Sequence, residues 1–441
     1  MNILFVSLGC DKNLVDTEVM LGLLAQNGYT MVDSEEIADV IVINTCCFIH
    51  DAKEESIQTI LEMAEYKKEG PLKALIVTGC LAQRYKQEIL DEIEEVDAVL
   101  GTTSYDKIVE AIDTALKGEK TLQMEDIDAL PIVENKRMIT TGGHYAYLKI
   151  AEGCDKHCTY CIIPKIRGNF RSVPMERLIK EAEELVAQGV KEIILVAQET
   201  TLYGQDLYGK KSLHILLKEL CKIVGLRWIR ILYCYPEEIT DELIQVMKEE
   251  KKICHYLDLP IQHASDAVLK RMGRRTSKEQ LISIIEKLRS EIPDIALRTT
   301  LITGFPGETQ EQHEELMEFI DEMEFDRLGV FTYSPEEDTP AAIMKEQVGE
   351  SVKEDRQAEL MELQQEIAFD LAERKIGMEV MVMIEGKVAD ENAYVGRTYM
   401  DAPNVDGLIF IETDEELMSG DFAKVKIIGA LEYDLIGEIV L

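Results

Sequence analysis

Apolar and polar positions along the 441-residue chain fall into three regimes. From residue 1 to about 130, short continuous apolar runs alternate with helical spacing. Asn2-Ile-Leu-Phe-Val-Ser-Leu8, Asp39-Val-Ile-Val-Ile-Asn44, Lys73-Ala-Leu-Ile-Val-Thr78 and Asp97-Ala-Val-Leu-Gly101 predict four strands, the first followed by a helix over about 14–27. Runs of Val, Ile and Leu without polar alternation suit strands covered on both faces, so this region predicts a doubly wound parallel sheet, an α/β domain over 1–130. A weakly periodic linker follows over 131–143. From Tyr145 the alternation resumes. Ala146-Tyr-Leu-Lys-Ile150, Glu192-Ile-Ile-Leu-Val-Ala-Gln198, Arg230-Ile-Leu-Tyr233, Tyr256-Leu-Asp-Leu259, Ala296-Leu-Arg-Thr-Thr-Leu-Ile302 and Leu328-Gly-Val-Phe-Thr-Tyr333 predict six strands separated by helices such as 175–188, stopped by Gly189. Six strand–helix units over 144–375 fit a partial TIM-like (β/α)6 barrel. After a polar helix over 349–375, five short strand patterns at 380–384, 393–397, 408–411, 422–427 and 434–440 predict a small five-stranded β-barrel over 377–441.

Charge changes the picture of partners. The formal net charge is −37. Nucleic-acid affinity rests on Lys and Arg neutralising phosphates, so the acidity argues against direct nucleic-acid binding and for a basic partner. The last barrel sharpens this, with 14 Asp and Glu against 4 Lys and Arg from Gly377 to Leu441. No run approaches the eighteen or so apolar residues of a membrane span. The start, Met1-Asn-Ile-Leu-Phe-Val, lacks a basic segment and predicts a first strand rather than a signal peptide. Ten cysteines in such a chain point to a reducing cytoplasm, where thiols bind metals rather than pair.

Six of those cysteines fall into two trios. Cys154-Asp-Lys-His-Cys158-Thr-Tyr-Cys161 packs three thiols into one short loop directly after the first strand of the second region. Chemistry in barrels of this kind sits at the carboxyl ends of the strands. Thiolates suit zinc or iron–sulfur clusters, but a structural zinc site wants four ligands. A zinc knuckle borrowing His157 is the alternative. Cys10, Cys46 and Cys80 each follow the end of one of the first three strands, and in an open parallel sheet those ends share one edge. Cys47 adjoins Cys46, with its side chain expected to point elsewhere. Cys221, Cys234 and Cys254 lack motif spacing and read as core thiols. His263, just past a strand end, reads as a structural or substrate-positioning residue. Thr303-Gly304-Phe-Pro-Gly307-Glu308 offers glycines where backbone could approach a ligand, or an ordinary strand-to-helix turn.

The three-then-two spacing of Cys154, Cys158 and Cys161 resembles the radical S-adenosylmethionine (SAM) superfamily. Gly9-Cys10-Asp-Lys-Asn-Leu-Val-Asp16, Asn44-Thr-Cys46 and Thr78-Gly-Cys80 resemble the amino-terminal domain of the methylthiotransferases within it. The likeness runs through all three regions. It implies a 4Fe-4S cluster on Cys154, Cys158 and Cys161 that binds and cleaves SAM. It further implies an auxiliary 4Fe-4S cluster on Cys10, Cys46 and Cys80 that supplies sulfur, and a last domain of the TRAM type. By the same likeness, Tyr160, Gln198, Glu199 and Gly304 are candidate SAM contacts.

Two branches of that family matter. One modifies an adenosine of tRNA, the other the β-carbon of an aspartate in protein twelve of the small ribosomal subunit. Ser7-Leu-Gly-Cys-Asp-Lys-Asn-Leu-Val-Asp16, Gly168-Asn-Phe-Arg-Ser172 and Met400-Asp-Ala-Pro-Asn-Val-Asp-Gly407 are similar to the protein-modifying branch. Charge reaches the same branch independently, since ribosomal proteins are generally basic. An electron donor such as a flavodoxin or ferredoxin is implied with it. The alternatives are the tRNA enzyme, or a non-enzymatic iron–sulfur carrier, which would normally saturate its cluster with four cysteines.

Overall fold

The structure is a computed structural model and describes residues 1–131, 137–389 and 392–440. Its first region is a six-stranded, fully parallel sheet: β1 (Asn2–Ser7), β2 (Thr30–Val32), β3 (Val40–Thr45), β4 (Ala74–Gly79), β5 (Ala98–Leu100) and β6 (Thr121–Gln123), in the order β2-β1-β3-β4-β5-β6. β3 and β4 are buried along their whole length, as their unbroken apolar runs predict. Alternate residues feed two cores, Ile41, Ile43, Leu75 and Val77 on one face and Val40, Val42, Ala74 and Ile76 on the other. β2 and β6 extend the expected four strands to six. Each is a three-residue edge strand with no buried residue, so neither carries an apolar run. Strand order reverses between β1 and β3, which makes their carboxyl ends a topological switch point.

The helix after β1 runs Asp11–Gln26 and starts three residues before the expected position. Its buried face holds Lys12, Asn13, Asp16, Thr17 and Glu18 as well as Val15, Met20 and Leu24. Apolar periodicity has nothing to detect in that first turn. Of the expected linker 131–143, residues 132–136 lie outside the described residues. Beyond them Arg137 is buried and donates to Glu181 (2.7 Å) and to the carbonyl of Tyr147 (2.6 Å).

The central region opens with β7 (Tyr145–Lys149) and a two-residue antiparallel pair, β8 (Ala151–Glu152) and β9 (Arg171–Ser172), which brackets the cysteine loop. It continues through β10 (Glu192–Val196), β11 (Trp228–Ile231), β12 (Ile253–Asp258), β13 (Ala296–Thr303) and β14 (Arg327–Thr332). These form an open, all-parallel half-barrel in the order β14-β13-β12-β11-β10-β7. Helix Glu350–Glu373 closes its outer side. The last region is a closed barrel of β15 (Glu379–Lys387), β16 (Ala393–Thr398), β17 (Ile409–Glu412), β18 (Phe422–Leu431) and β19 (Asp434–Ile439), in the order β15-β16-β17-β19-β18. Among the described residues no helix is long and apolar enough to cross a membrane.

The closed barrel plugs the concave face of the half-barrel. Tyr147, Ile194, Trp228 and Tyr256 from the strands share one apolar cluster with Val382, Met383, Met400 and Ile409. A polar tie runs through it. Glu192, fully buried, accepts from Arg230 Nε (2.8 Å) and from Arg397 Nη2 (2.7 Å), while Arg397 Nε donates to Glu385 (2.6 Å). Arg327 Nε donates to Asp401 (3.0 Å) and Tyr256 Oη to Asp406 (2.7 Å). Removing one member of a buried ion network leaves an uncompensated charge. Arg397→Met is therefore expected to lower unfolding free energy by about 3–5 kcal/mol in urea denaturation. Lys222→Met, which breaks an exposed pair with Glu219, should change it by less than ~1 kcal/mol. Equal effects would mean the tie does not fasten the barrel.

Candidate active site between two cysteine trios

Cys10, Cys46 and Cys80 leave the carboxyl ends of β1, β3 and β4 at the switch point. Gly9 has φ +86, and a Cβ there would lie 2.9 Å from Cys46 Sγ, so the turn before Cys10 closes against Cys46 only as glycine. Cys46 N donates to Ser56 Oγ (3.0 Å), whose hydroxyl donates back to the Cys46 carbonyl (2.8 Å). Cys80 Sγ lies 3.7 Å from Asn13 Oδ1. Burial pushes the Cys46 and Cys80 thiols upward, and neighbouring thiols of the trio add to the shift. Cys47 shares the apolar core on one face of the sheet with Cys80, and burial pushes its thiol to about 12.

The second trio is fixed by backbone. Gly153 has φ +77, and any Cβ there would strike the carbonyl of Asn169, so β8 and β9 pinch together just before Cys154. Cys154 N donates to the Gly168 carbonyl (3.1 Å), Thr159 N to the Met272 carbonyl (2.9 Å), and Ala341 N to the Thr159 carbonyl (2.9 Å). Cys154 and Cys158 are buried and Cys161 is half-buried. Burial and the other thiols push Cys154 to about 11 and raise Cys161 as well. Among the described residues no three His, Cys, Asp or Glu side chains close around a single ion. Metal binding releases the thiol protons, and soft sulfur-only trios suit an iron–sulfur cluster.

Residues with no sequence signal join the trios. Six residues after Cys161, Arg167 lies 2 % exposed at the end of helix Ile163–Arg167. It donates to Asp16 Oδ2 (2.8 Å), Glu152 Oε2 (3.2 Å) and Asn13 Oδ1, the oxygen that Cys80 also faces. Lys149 Nζ bridges Asp16 and Glu152 (2.7 Å to Glu152), and Gln198 Nε2 donates to Glu152 Oε1 (2.7 Å). Burial alone would raise Glu152, but Lys149 and Arg167 hold its carboxyl far below the usual range. On the other side, residues 233–235 separate the trios. Tyr233 Oη donates to Asp11 (3.0 Å), next to Cys10, and Tyr235 Oη lies 3.9 Å from Cys158 Sγ.

The other expected residues distribute unevenly. Glu199 is fully buried, 3.9 Å from Lys156 Nζ, and burial raises its carboxyl to about 7. Its Oε2 and the Oε1 of Gln198 have no hydrogen-bond partner, two orphaned acceptors beside the Cys154 loop. Tyr160 packs edge-on against Phe305, ring centroids 6.4 Å apart. Gly304, at φ +69, has the space of its missing Cβ filled by the side chain of Lys353. His263 is buried, accepts from Ser265 N (3.0 Å) at Nδ1, and is pushed down to about 3 by burial, as a neutral structural histidine would be. Cys234 and Cys254 are buried core thiols, and Cys221 is half-buried.

Comparison with known proteins places this geometry. The uncharacterized protein family UPF0004 matches residues 2–101, the radical SAM superfamily residues 148–320, and the TRAM domain residues 376–440. A ribosomal protein uS12 methylthiotransferase RimO from Lachnoclostridium phytofermentans is 68% identical over 99% of this chain and 99% of its own. A second, from Clostridium botulinum, is 54% identical over 98% of this chain and 96% of its own. Among solved structures, the radical SAM methyltransferase TsrM from Kitasatospora setae, with cobalamin and a [4Fe-4S] cluster bound, aligns at a TM-score of 0.55. At 13% identity over 78% of this chain and 77% of its own, it shares the fold. The superfamily brings SAM and a 4Fe-4S cluster as cofactors. On identity sustained from end to end, the chain belongs to the RimO family of radical SAM methylthiotransferases.

Proposed function

We propose that the chain replaces a β-carbon hydrogen of an aspartate in ribosomal protein uS12 by a methylthio group. It would do so with two 4Fe-4S clusters, one on Cys154, Cys158 and Cys161 and an auxiliary one on Cys10, Cys46 and Cys80. One observation carries the reading: the two sulfur trios flank one short segment, Tyr233 on the Cys10 side and Tyr235 on the Cys158 side. When bound, the clusters and SAM supply the one-electron and sulfur chemistry that side-chain acids and bases cannot perform on an unactivated C–H bond. The chain's own groups bind, orient and exclude water. Glu199 and Gln198 accept from the SAM ammonium, Tyr160 packs beside the ligand, and the Gly304 turn is a further contact. Arg167 and Lys149 hold the two trios at a fixed separation through Asp16 and Glu152. Electrons come from a flavodoxin or ferredoxin in the cytoplasm.

A net charge of −37 favours a basic protein over a polyphosphate as substrate. In a strain lacking this chain, uS12 should lose its methylthio group while tRNA keeps its own, as read by mass spectrometry. A loss confined to tRNA overturns the assignment. Cys80→Ala should retain SAM cleavage in the reduced, reconstituted protein but abolish methylthio transfer, whereas Cys154→Ala abolishes both. Repeated turnover by Cys80→Ala would remove that residue from the auxiliary site. The Glu199 carboxyl, raised to about 7 by burial, must ionise to pair with an ammonium. SAM binding is therefore expected to weaken as pH falls through about 7, approaching tenfold per pH unit, and to lose that dependence in Glu199→Gln. An unchanged profile in the variant would place the ammonium elsewhere.

A further inference from the structure

A cleft of about 420 Å³ opens beside Cys10, within the size range of ligand sites. Its walls come from all three regions: Cys10 and Asp11 after β1, Tyr233 after β11, Asp258 ending β12, Arg298 on β13, and Asn404 from the closed barrel. The inference rests on the reading above and asks which group recognises the substrate. In an aspartate the reacting β-carbon carries the carboxylate directly, so whatever fixes the carboxylate fixes the carbon–hydrogen bond. Burying that carboxylate unpaired is strongly unfavourable. Asp11 and Asp258 would repel it, so a cation must receive it.

Arg298 lines the cleft, whereas Lys12 and Arg167 stand behind its walls. Arg167 sits beneath the trio, committed to Asp16, Glu152 and Asn13. Arg298 is held by Asp258 (2.9 Å) and Asp406 (3.3 Å). Lys12 is different. Its Nζ lies 3.3 Å from Asp11 Oδ1 and 3.3 Å from the centroid of the Tyr233 ring, both on residues that line the cleft. Its side chain is 9% exposed, and that one carboxylate is its single ionic contact among the described residues. Lys12 thus faces one carboxylate where each arginine faces two, which leaves its ammonium the least neutralised of the three. Tyr233 adopts φ +59, a left-handed conformation rare for an aromatic residue, and this aims its ring at Lys12.

We propose that Lys12 is the specificity-determining residue that takes the side-chain carboxylate of the substrate aspartate and so holds its β-carbon beside Cys10. The test is binding, read by fluorescence anisotropy with reconstituted holoprotein, without SAM or reductant, at physiological salt. Two probes are compared, isolated uS12 and uS12 carrying Asn in place of the modified Asp. Their equal charge elsewhere cancels the general attraction between an acidic enzyme and a basic protein. The wild-type chain should bind the Asp form at least tenfold tighter. Lys12→Met should lose that preference while binding the Asn form as the wild type does, which also shows that it is folded. Lys12→Arg should keep the preference. Lys12→Gln, which keeps a polar group in the same space, reads the same way if the Met variant does not fold. A preference that survives in Lys12→Met or Lys12→Gln overturns the inference. So does a wild type that binds both forms equally, which leaves the proposed substrate standing. A wild type that binds neither form overturns the substrate itself.

Discussion

Two positive and two negative side chains, Arg167, Lys149, Asp16 and Glu152, are buried together where the N-terminal sheet meets the half-barrel. Taking four charges out of water is costly, and buried ion pairs are poor evidence of stability for that reason. What they do supply is register. Apolar contacts tolerate sliding, whereas a guanidinium that must meet Asp16, Glu152 and Asn13 at once has one position. The segment it terminates begins at Cys161, and Ile162 and Ile166 within it pack into the core of the N-terminal sheet. A displacement of one trio is thereby carried to the other. Asn13 completes the coupling, since its Oδ1 meets both Arg167 and Cys80 while its Nδ2 donates to the carbonyls of Leu8 and Thr45.

That arrangement explains which parts of the molecule could be read without coordinates. Strands buried on both faces declare themselves through unbroken Val and Ile runs, and both cysteine trios through spacing and strand ends. The edge strands β2 and β6 do not, because three half-exposed residues carry no pattern. The start of helix Asp11–Gln26 escapes for the opposite reason. It is buried, but with Lys12, Asn13 and Asp16, residues that periodicity assigns to solvent. Polar burial is expensive and occurs where chemistry requires it, so the place where the pattern fails is the wall of the site. Arg167 and Glu152 could not be singled out at all. A charged residue acquires meaning from the charge it faces, and Asp16 faces Arg167 across 151 residues of chain.

The same distinction governs the acidic excess. Read from composition, the C-terminal barrel is a uniformly negative surface for a basic partner. In the structure its acids divide. Asp401 and Asp406 pair with Arg327 and Arg298 and fasten the barrel to the half-barrel. Glu412, Asp414, Glu415 and Glu416 remain exposed. Exposed charges act over a Debye length of about 8 Å and raise encounter rates more than affinity. They do not discriminate between one basic protein and another. Discrimination has to come from groups dehydrated on binding, where an unmatched charge costs most. A barrel of a type suited to nucleic acid can therefore serve a protein substrate without a phosphate groove. Its outer acids stay in water, while Pro403, Asn404 and Val405 of its inner loop line the cleft that holds Cys10.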